Sequence, residues 1–174
     1  AALDLVGEVD RLDIAIAEAL RSEGVELTAD VVTAEQHFPF DVELKRSAGI
    51  VRLDDQRLFT VKGAWEVLRP LLSAVCDHAG HTQPATDVEL DLAEAGMTEL
   101  AAAGLRVVAV AYRPLEASQV ADTPLEQLEQ GLILAGFLGI EDPLREEVPA
   151  AIASCQKAGI EVILITGDHP DTAQ

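Results

Sequence analysis

The chain has 174 residues, of which 49% are apolar and 25% charged. That composition supports a buried core and excludes a disordered chain, and the length allows one good domain with part of a second. Thirty-one acidic residues stand against twelve basic ones, and the resulting net charge of -19 argues against nonspecific binding of DNA, RNA or anionic lipid.

The opening Ala1-Ala2-Leu3-Asp4 lacks a basic leader and an apolar run before a cleavage site, so it reads as an excised piece of something longer and not as a secretory signal. Asp10 to Arg21 places Leu12, Ile14, Ala15, Ile16, Ala19 and Leu20 between acids, which predicts an amphipathic helix ending near Gly24. From Val31 to Thr60 the texture is that of strands, with Asp54-Asp55-Gln56 as the turn of an antiparallel hairpin between Gly49–Leu53 and Arg57–Val61. A second helix is expected from about Ala64 to His78, with Pro70 kinking it or delaying its start. Asp87 to Ala103 predicts a helix closed by Gly104, and Leu105 to Tyr112 a buried strand.

Pro114 to Glu129 is polar and proline-interrupted, and reads as a long surface loop. Beyond it the pattern is strand, helix, strand: Leu132 to Ile140, Arg145 to Ala158, and Glu161 to Thr166. That order predicts a βαβ unit of the kind that builds parallel sheets, with a domain boundary near Glu141-Asp142. The apolar run Leu132 to Ile140 falls well short of the roughly 18–20 residues that span a bilayer, so no membrane crossing is expected. Cys76 and Cys155 lack CxxC spacing, which predicts buried packing thiols in a reducing setting rather than a disulfide or zinc site. The four histidines share no HxxxH or HExxH spacing, so no metal is assigned.

Several short stretches are able to carry chemistry. The apolar run Ile163 to Ile165 empties into Thr166-Gly167-Asp168, and such strand ends bind phosphates and metals because glycine admits close approach while Thr and Asp supply donor and ligand. A plain strand and turn gives the same pattern. Asp142-Pro143-Leu144-Arg145 stands at the proposed boundary, with Asp142 placed to cap the next helix and Pro143 stiffening the junction. Phe40, Lys45, Arg46 and Lys62 gather an aromatic ring and cations on one hairpin. A ring stacks on a base for about 1 to 3 kcal/mol, and lysines bind phosphates through charge-assisted bonds. Equally, a strand Phe belongs to a core and a Lys-Arg pair to a solvated edge, so both readings stand. Arg106 reads either as a phosphate-reaching guanidinium or as a snorkelling surface residue.

In order, these stretches resemble the P-type cation-transporting ATPases. Phe40-Asp41-Val42-Glu43-Leu44-Lys45-Arg46 is similar to the family's F-(D/S)-x-x-x-K segment, and Val61-Lys62-Gly63-Ala64 to its K-G-A. Gly104-Leu105-Arg106 with Ala109 to Arg113 is similar to its G-L-R strand, Asp142 to Arg145 to D-P-x-R, and Thr166-Gly167-Asp168 to T-G-D. The resemblance covers most of the chain. It implies an α/β (α+β) fold: residues 1–141 as a nucleotide-binding domain with a mostly antiparallel sheet flanked by helices, and 142–174 as the first piece of a Rossmann-like phosphorylation domain.

The resemblance also implies roles. Phe40 would stack on adenine, Lys45, Lys62 and Gly63 would line the pocket, and Arg106 would reach the phosphates. Asp13, with Glu8 as the weaker choice, would meet the adenine amino group. Asp142 and Arg145 would form a hinge, and Thr166, Gly167 and Asp168 would meet the terminal phosphate and ribose on closure. It implies ATP or ADP as ligand, Mg2+ arriving with ATP, and as partners the remaining phosphorylation, actuator and membrane domains of one chain, with this part cytoplasmic. Two departures stand out: Val42 where many relatives have a basic residue, and Trp65 where Pro usually follows K-G-A. The D-K-T-G-T segment that carries the phosphorylated aspartate and the G-D-G-x-N-D magnesium segment are both missing, so this fragment is expected to bind ATP without turning it over. A haloacid-dehalogenase-type phosphatase, or an interaction domain that has lost the nucleotide, are the alternatives.

Overall fold

Alternation of buried and exposed side chains organises the molecule into a sheet with two different faces. A computed structural model describes residues 11–25, 28, 32–116, 123–141 and 147–163. Its strands are β1 (Val32–Asp41), β2 (Arg46–Leu53), β3 (Gln56–Gly63), β4 (Leu72–Cys76), β5 (Thr82–Pro84), β6 (Arg106–Leu115) and β7 (Leu132–Ile140). They form one seven-stranded sheet in the order β1-β2-β3-β6-β7-β4-β5. Neighbours run antiparallel except β4 and β7, so the expected mostly antiparallel sheet flanked by helices is the observed one. The hairpin between β2 and β3 turns through Asp54-Asp55, with Leu53 opposite Gln56. Asp54 sits at φ 52, a left-handed conformation that Asp tolerates better than most residues.

One face carries the core. Ile50, Phe59, Val61, Ala109, Ala111 and Leu132 are almost wholly buried and share strand parity, so successive strands present them to the same side. The helix α3 (Asp87–Ala102) covers this face with Leu90, Ala93 and Met97. It ends as expected: Gly104 takes φ 81, and Leu105 N–H donates to the Leu100 carbonyl, closing the helix with a left-handed cap. The opposite face is roofed by α1 (Arg11–Ser22), whose inward stripe is Asp13, Ile16, Ala17 and Leu20.

Three expectations need correction. The helix expected over Ala64–His78 is only α2 (Trp65–Leu68) followed by a 3-10 turn at Arg69–Leu71, after which the chain becomes β4. Pro70 cannot donate to a continuing helix, and Leu72 to Val75 find hydrogen-bond partners beside β7 instead. Secondly, β7, expected as the first strand of a βαβ unit, lies between β6 and β4 in the main sheet. The next element among the described residues is α5 (Val148–Lys157); Glu161–Ile163 take no regular structure, and Leu164–Thr166 lie outside the described residues. Thirdly, the stretch expected as loop contains the end of β6 and α4 (Leu125–Leu128), with Leu128 and Glu129 buried. Cys76 and Cys155 are free and half-buried, less enclosed than expected. Among the described residues no helix is long and apolar enough to cross a membrane.

Candidate functional site

Between α1 and the sheet lies a cleft of about 250 Å³ lined by Ile16, His37, Ser47, Thr60, Lys62, Val110, Gly136, Phe137 and Leu138, among others. Register explains the polar part of this list. Ser47 stands opposite Lys62, and Lys62 opposite Val110; these positions have the parity opposite to the core residues Ala48, Val61 and Ala109. A ladder irregularity at Val110/Ala111 falls beside Ala135 and Gly136, and Gly136 adopts φ 148, a conformation only glycine enters readily. Such bulges locally re-aim a strand, and this one forms one wall of the cleft. The cavity is small beside the roughly 300–1,000 Å³ of typical ligand pockets, so it suits a flat ring with any charged tail left outside.

Lys62 and Asp13 meet as an ion pair. Their side chains are 14% and 3% exposed, so the carboxylate is shielded from water and needs its partner. Asp13 occupies a position of the inward helical stripe, where an apolar residue is the ordinary choice. Lys62 keeps further N–H donors beyond the one directed at Asp13.

The turn before β2 is built by Asp41, whose Oδ1 accepts the N–H groups of Glu43 and Leu44 at 2.8 and 2.9 Å. It closes through Lys45 at φ 50, and the Lys45 carbonyl accepts the Ala64 N–H at 3.1 Å. Lys45 Nζ meets Glu66 Oε1 at 3.1 Å. Glu66's own backbone N–H and then Lys45 hold that carboxyl below its usual range. Gly63 is obligatory here, because a Cβ would sit 2.6 Å from Arg46 Cβ and 2.7 Å from the Lys45 carbonyl oxygen. Arg46 turns to the core side and grips Glu129 with Nε at 2.6 Å and Nη2 at 2.5 Å, which raises its pKa further. It is therefore neither a solvated edge residue nor a member of the cleft.

Phe40 is 55% exposed. It lies in the ladder irregularity between Phe38 and Asp41, where strict alternation breaks, and it does not line the cleft. Arg106, exposed at the start of β6, has the parity of Val108 and Val110 and lies on the face that bears Lys62, also beyond the lining. The structure thus brings Asp13 and Lys62 into contact, places Arg106 on the Lys62 face, leaves Phe40 exposed near the end of β1, and sets Lys45 at the rim turn with Glu66. Asp142, Arg145, Thr166, Gly167 and Asp168 lie outside the described residues.

Trp65 accounts for one departure noted in the sequence. It begins α2, is 7% exposed, and meets Phe137 edge-on with ring centroids 5.2 Å apart, so it exchanges a helix-starting proline for core contact. Sequence reasoning missed Glu129, Ser47, Thr60 and Phe137; an isolated glycine inside the strand pattern at Gly136 was the one available signal of a bulge. Magnesium takes about six oxygen ligands in near-octahedral geometry. The carboxylate at the cleft, Asp13, is engaged by Lys62, and among the described residues no group of three or more His, Cys, Asp or Glu is placed to hold an ion. The described residues do not build a magnesium site.

The family profile described as P-type ATPase, cytoplasmic domain N, matches residues 6–147. A calcium-transporting ATPase of Bacillus subtilis (strain 168) is 39% identical over 141 residues, covering 80% of this chain and 15% of that protein. The sodium/potassium exporting P-type ATPase cta3 of Schizosaccharomyces pombe is 38% identical over 82% of this chain and 13% of its own length. Plasma membrane calcium-transporting ATPase 3 of Homo sapiens is 35% identical over 79% of this chain and 12% of its own length. The chain therefore spans a small part of these relatives.

Proposed function

The chain belongs to the P-type ATPase family as its cytoplasmic domain N, and from that premise we propose that it holds ATP in the cleft between α1 and the sheet for a cation-transporting enzyme. The observation that carries this reading is the Asp13–Lys62 pair beside the cleft that Lys62 lines: an acceptor for a base amino group beside a cation for a phosphate. Adenine enters the cleft between Ile16 and the strand backbone at Gly136, Phe40 stacks on its open side, and Lys62, Lys45 and Arg106 face the triphosphate. Lys45 exchanges its solvent-exposed contact with Glu66 for phosphate at little cost, since exposed ion pairs contribute about 0–1 kcal/mol. The net charge of -19 opposes this less than it suggests, because charges farther than about 8 Å are screened at physiological salt.

In the complete enzyme, Mg2+ arrives bound to the triphosphate. Residues 1–141 present the nucleotide, and 142–174 begin the phosphorylation domain. Asp142 and Arg145 serve the hinge, while Thr166, Gly167 and Asp168 meet the terminal phosphate and ribose as the parts close. The phosphoryl group passes to an aspartate outside this chain. Most catalytic benefit in such transfer comes from positioning and charge stabilisation, so this domain alone binds without turnover, on the cytoplasmic side of a membrane enzyme. The relatives' names span calcium and sodium/potassium transport, and likeness in this domain selects no ion. Transport ATPases as relatives do not favour a haloacid-dehalogenase-type phosphatase.

Calorimetric titration with ATP is the test. Phe40→Ala is expected to weaken binding about tenfold, within the roughly 1–3 kcal/mol of a base–aromatic stack. No heat at millimolar ATP with the unaltered domain would remove the reading.

A further inference from the structure

Lys45 and Arg46 are neighbours in sequence and point apart in space. Lys45 ends the rim turn in a left-handed conformation, whereas Arg46 starts β2 on the core side with its side chain 14% exposed against 4% for Glu129. The guanidinium uses Nε and Nη2 on the two oxygens of Glu129 and Nη1 on the Leu44 carbonyl at 3.3 Å. One planar group therefore ties α4's last turn to the rim turn. The Glu129 side of the tie is itself held: Leu128 is 2% exposed, and Arg113 Nη1 donates to the carbonyls of Gln127 and Gln130 at 3.0 and 2.7 Å. On the other side, Gly63 packs directly on the Arg46 backbone, one residue from Lys62.

A buried ion pair contributes little net stability, because desolvation offsets the attraction, but a bidentate fork fixes orientation. We propose that Arg46 and Glu129 are positioning residues of the nucleotide site, which hold the turn bearing Lys45 in register with Lys62 without touching the nucleotide. This rests on the ATP reading above. It assigns a role at the site to α4, which enters from a distant part of the chain.

The test uses the domain as it stands, with the variants Lys45→Ala, Glu129→Gln and the double Arg46→Met/Glu129→Leu, which removes both charges together. ATP affinity is measured by calorimetry, and the amide resonances of Lys45 and Ala64 by NMR. The double variant is expected to melt close to the unaltered domain, to bind ATP about tenfold more weakly, as small misplacements of binding groups do, and to shift the Ala64 amide that donates to Lys45. Glu129→Gln, which keeps shape but loses charge, is expected to weaken binding less and gives the same comparison if the double variant fails to fold. If Lys45→Ala weakens binding while the folded pair variants bind ATP as the unaltered domain does, the positioning role falls and the ATP site stands. Absence of binding by the unaltered domain overturns both.

Discussion

At the scale of residues, the Asp13–Lys62 contact couples packing to chemistry. Asp13 is 3% exposed at its side chain, so removing the lysine's charge leaves a carboxylate without compensation. Lys62→Met should cost about 3 kcal/mol in urea unfolding, and Asp13→Leu together with Lys62→Met markedly less than the sum of the two single changes. Strict additivity would mean that the pair is not coupled. Tyr112 is the single tyrosine; burial first, and the adjacent Cys76 second, push its phenol above the ordinary value. Its absorbance at alkaline pH should therefore titrate above about 10, with Cys76→Ser lowering the midpoint. Because the folded value is the higher one, this group's stabilising contribution is complete below about pH 10 and is lost as pH rises through the folded value.

At the scale of elements, glycine marks where two segments come closest. The Cβ that Gly63 lacks would strike Arg46 and the Lys45 backbone at 2.6 and 2.7 Å, and neither can move without shifting a strand. Gly63→Ala should destabilise by about 2–3 kcal/mol. At Gly139 the nearest atom is Leu105 Cδ1 at 2.7 Å, the end of a side chain able to change rotamer, so Gly139→Ala should cost under about 1 kcal/mol. Equal losses in thermal unfolding would refute this contrast. The elements that the sequence showed clearly are those with local causes: the β2–β3 hairpin, α1, and α3 with its Gly104 cap. The short α2 with the 3-10 turn at Pro70 and the strand β4 were misread because Leu72–Cys76 has no helical or strand signature of its own; its conformation comes from pairing with β5 just after it and with β7, which is distant in sequence.

At the scale of the molecule, the one tryptophan connects the core to the cleft. Trp65 packs on the core-side ring of Phe137, whose backbone borders the cleft, so ATP is expected to change Trp65 fluorescence in the unaltered domain. An unchanged spectrum at saturating ATP would detach the cleft from this reporter. The sequence by itself determined the family, through motifs whose order survives without any coordinates, and the strands and helices whose periodicity or capping is local. It also marked Lys62 and Arg106, which sheet parity puts on one face, and the exposed Phe40. Only the tertiary structure decided that Arg46 leaves that face for Glu129, that Asp13 and Lys62 meet, and that β7 is an interior strand of the main sheet. Those outcomes depend on contacts between residues far apart in the chain, formed as each charge seeks a partner and each strand an edge to pair with, and no local pattern encodes such choices.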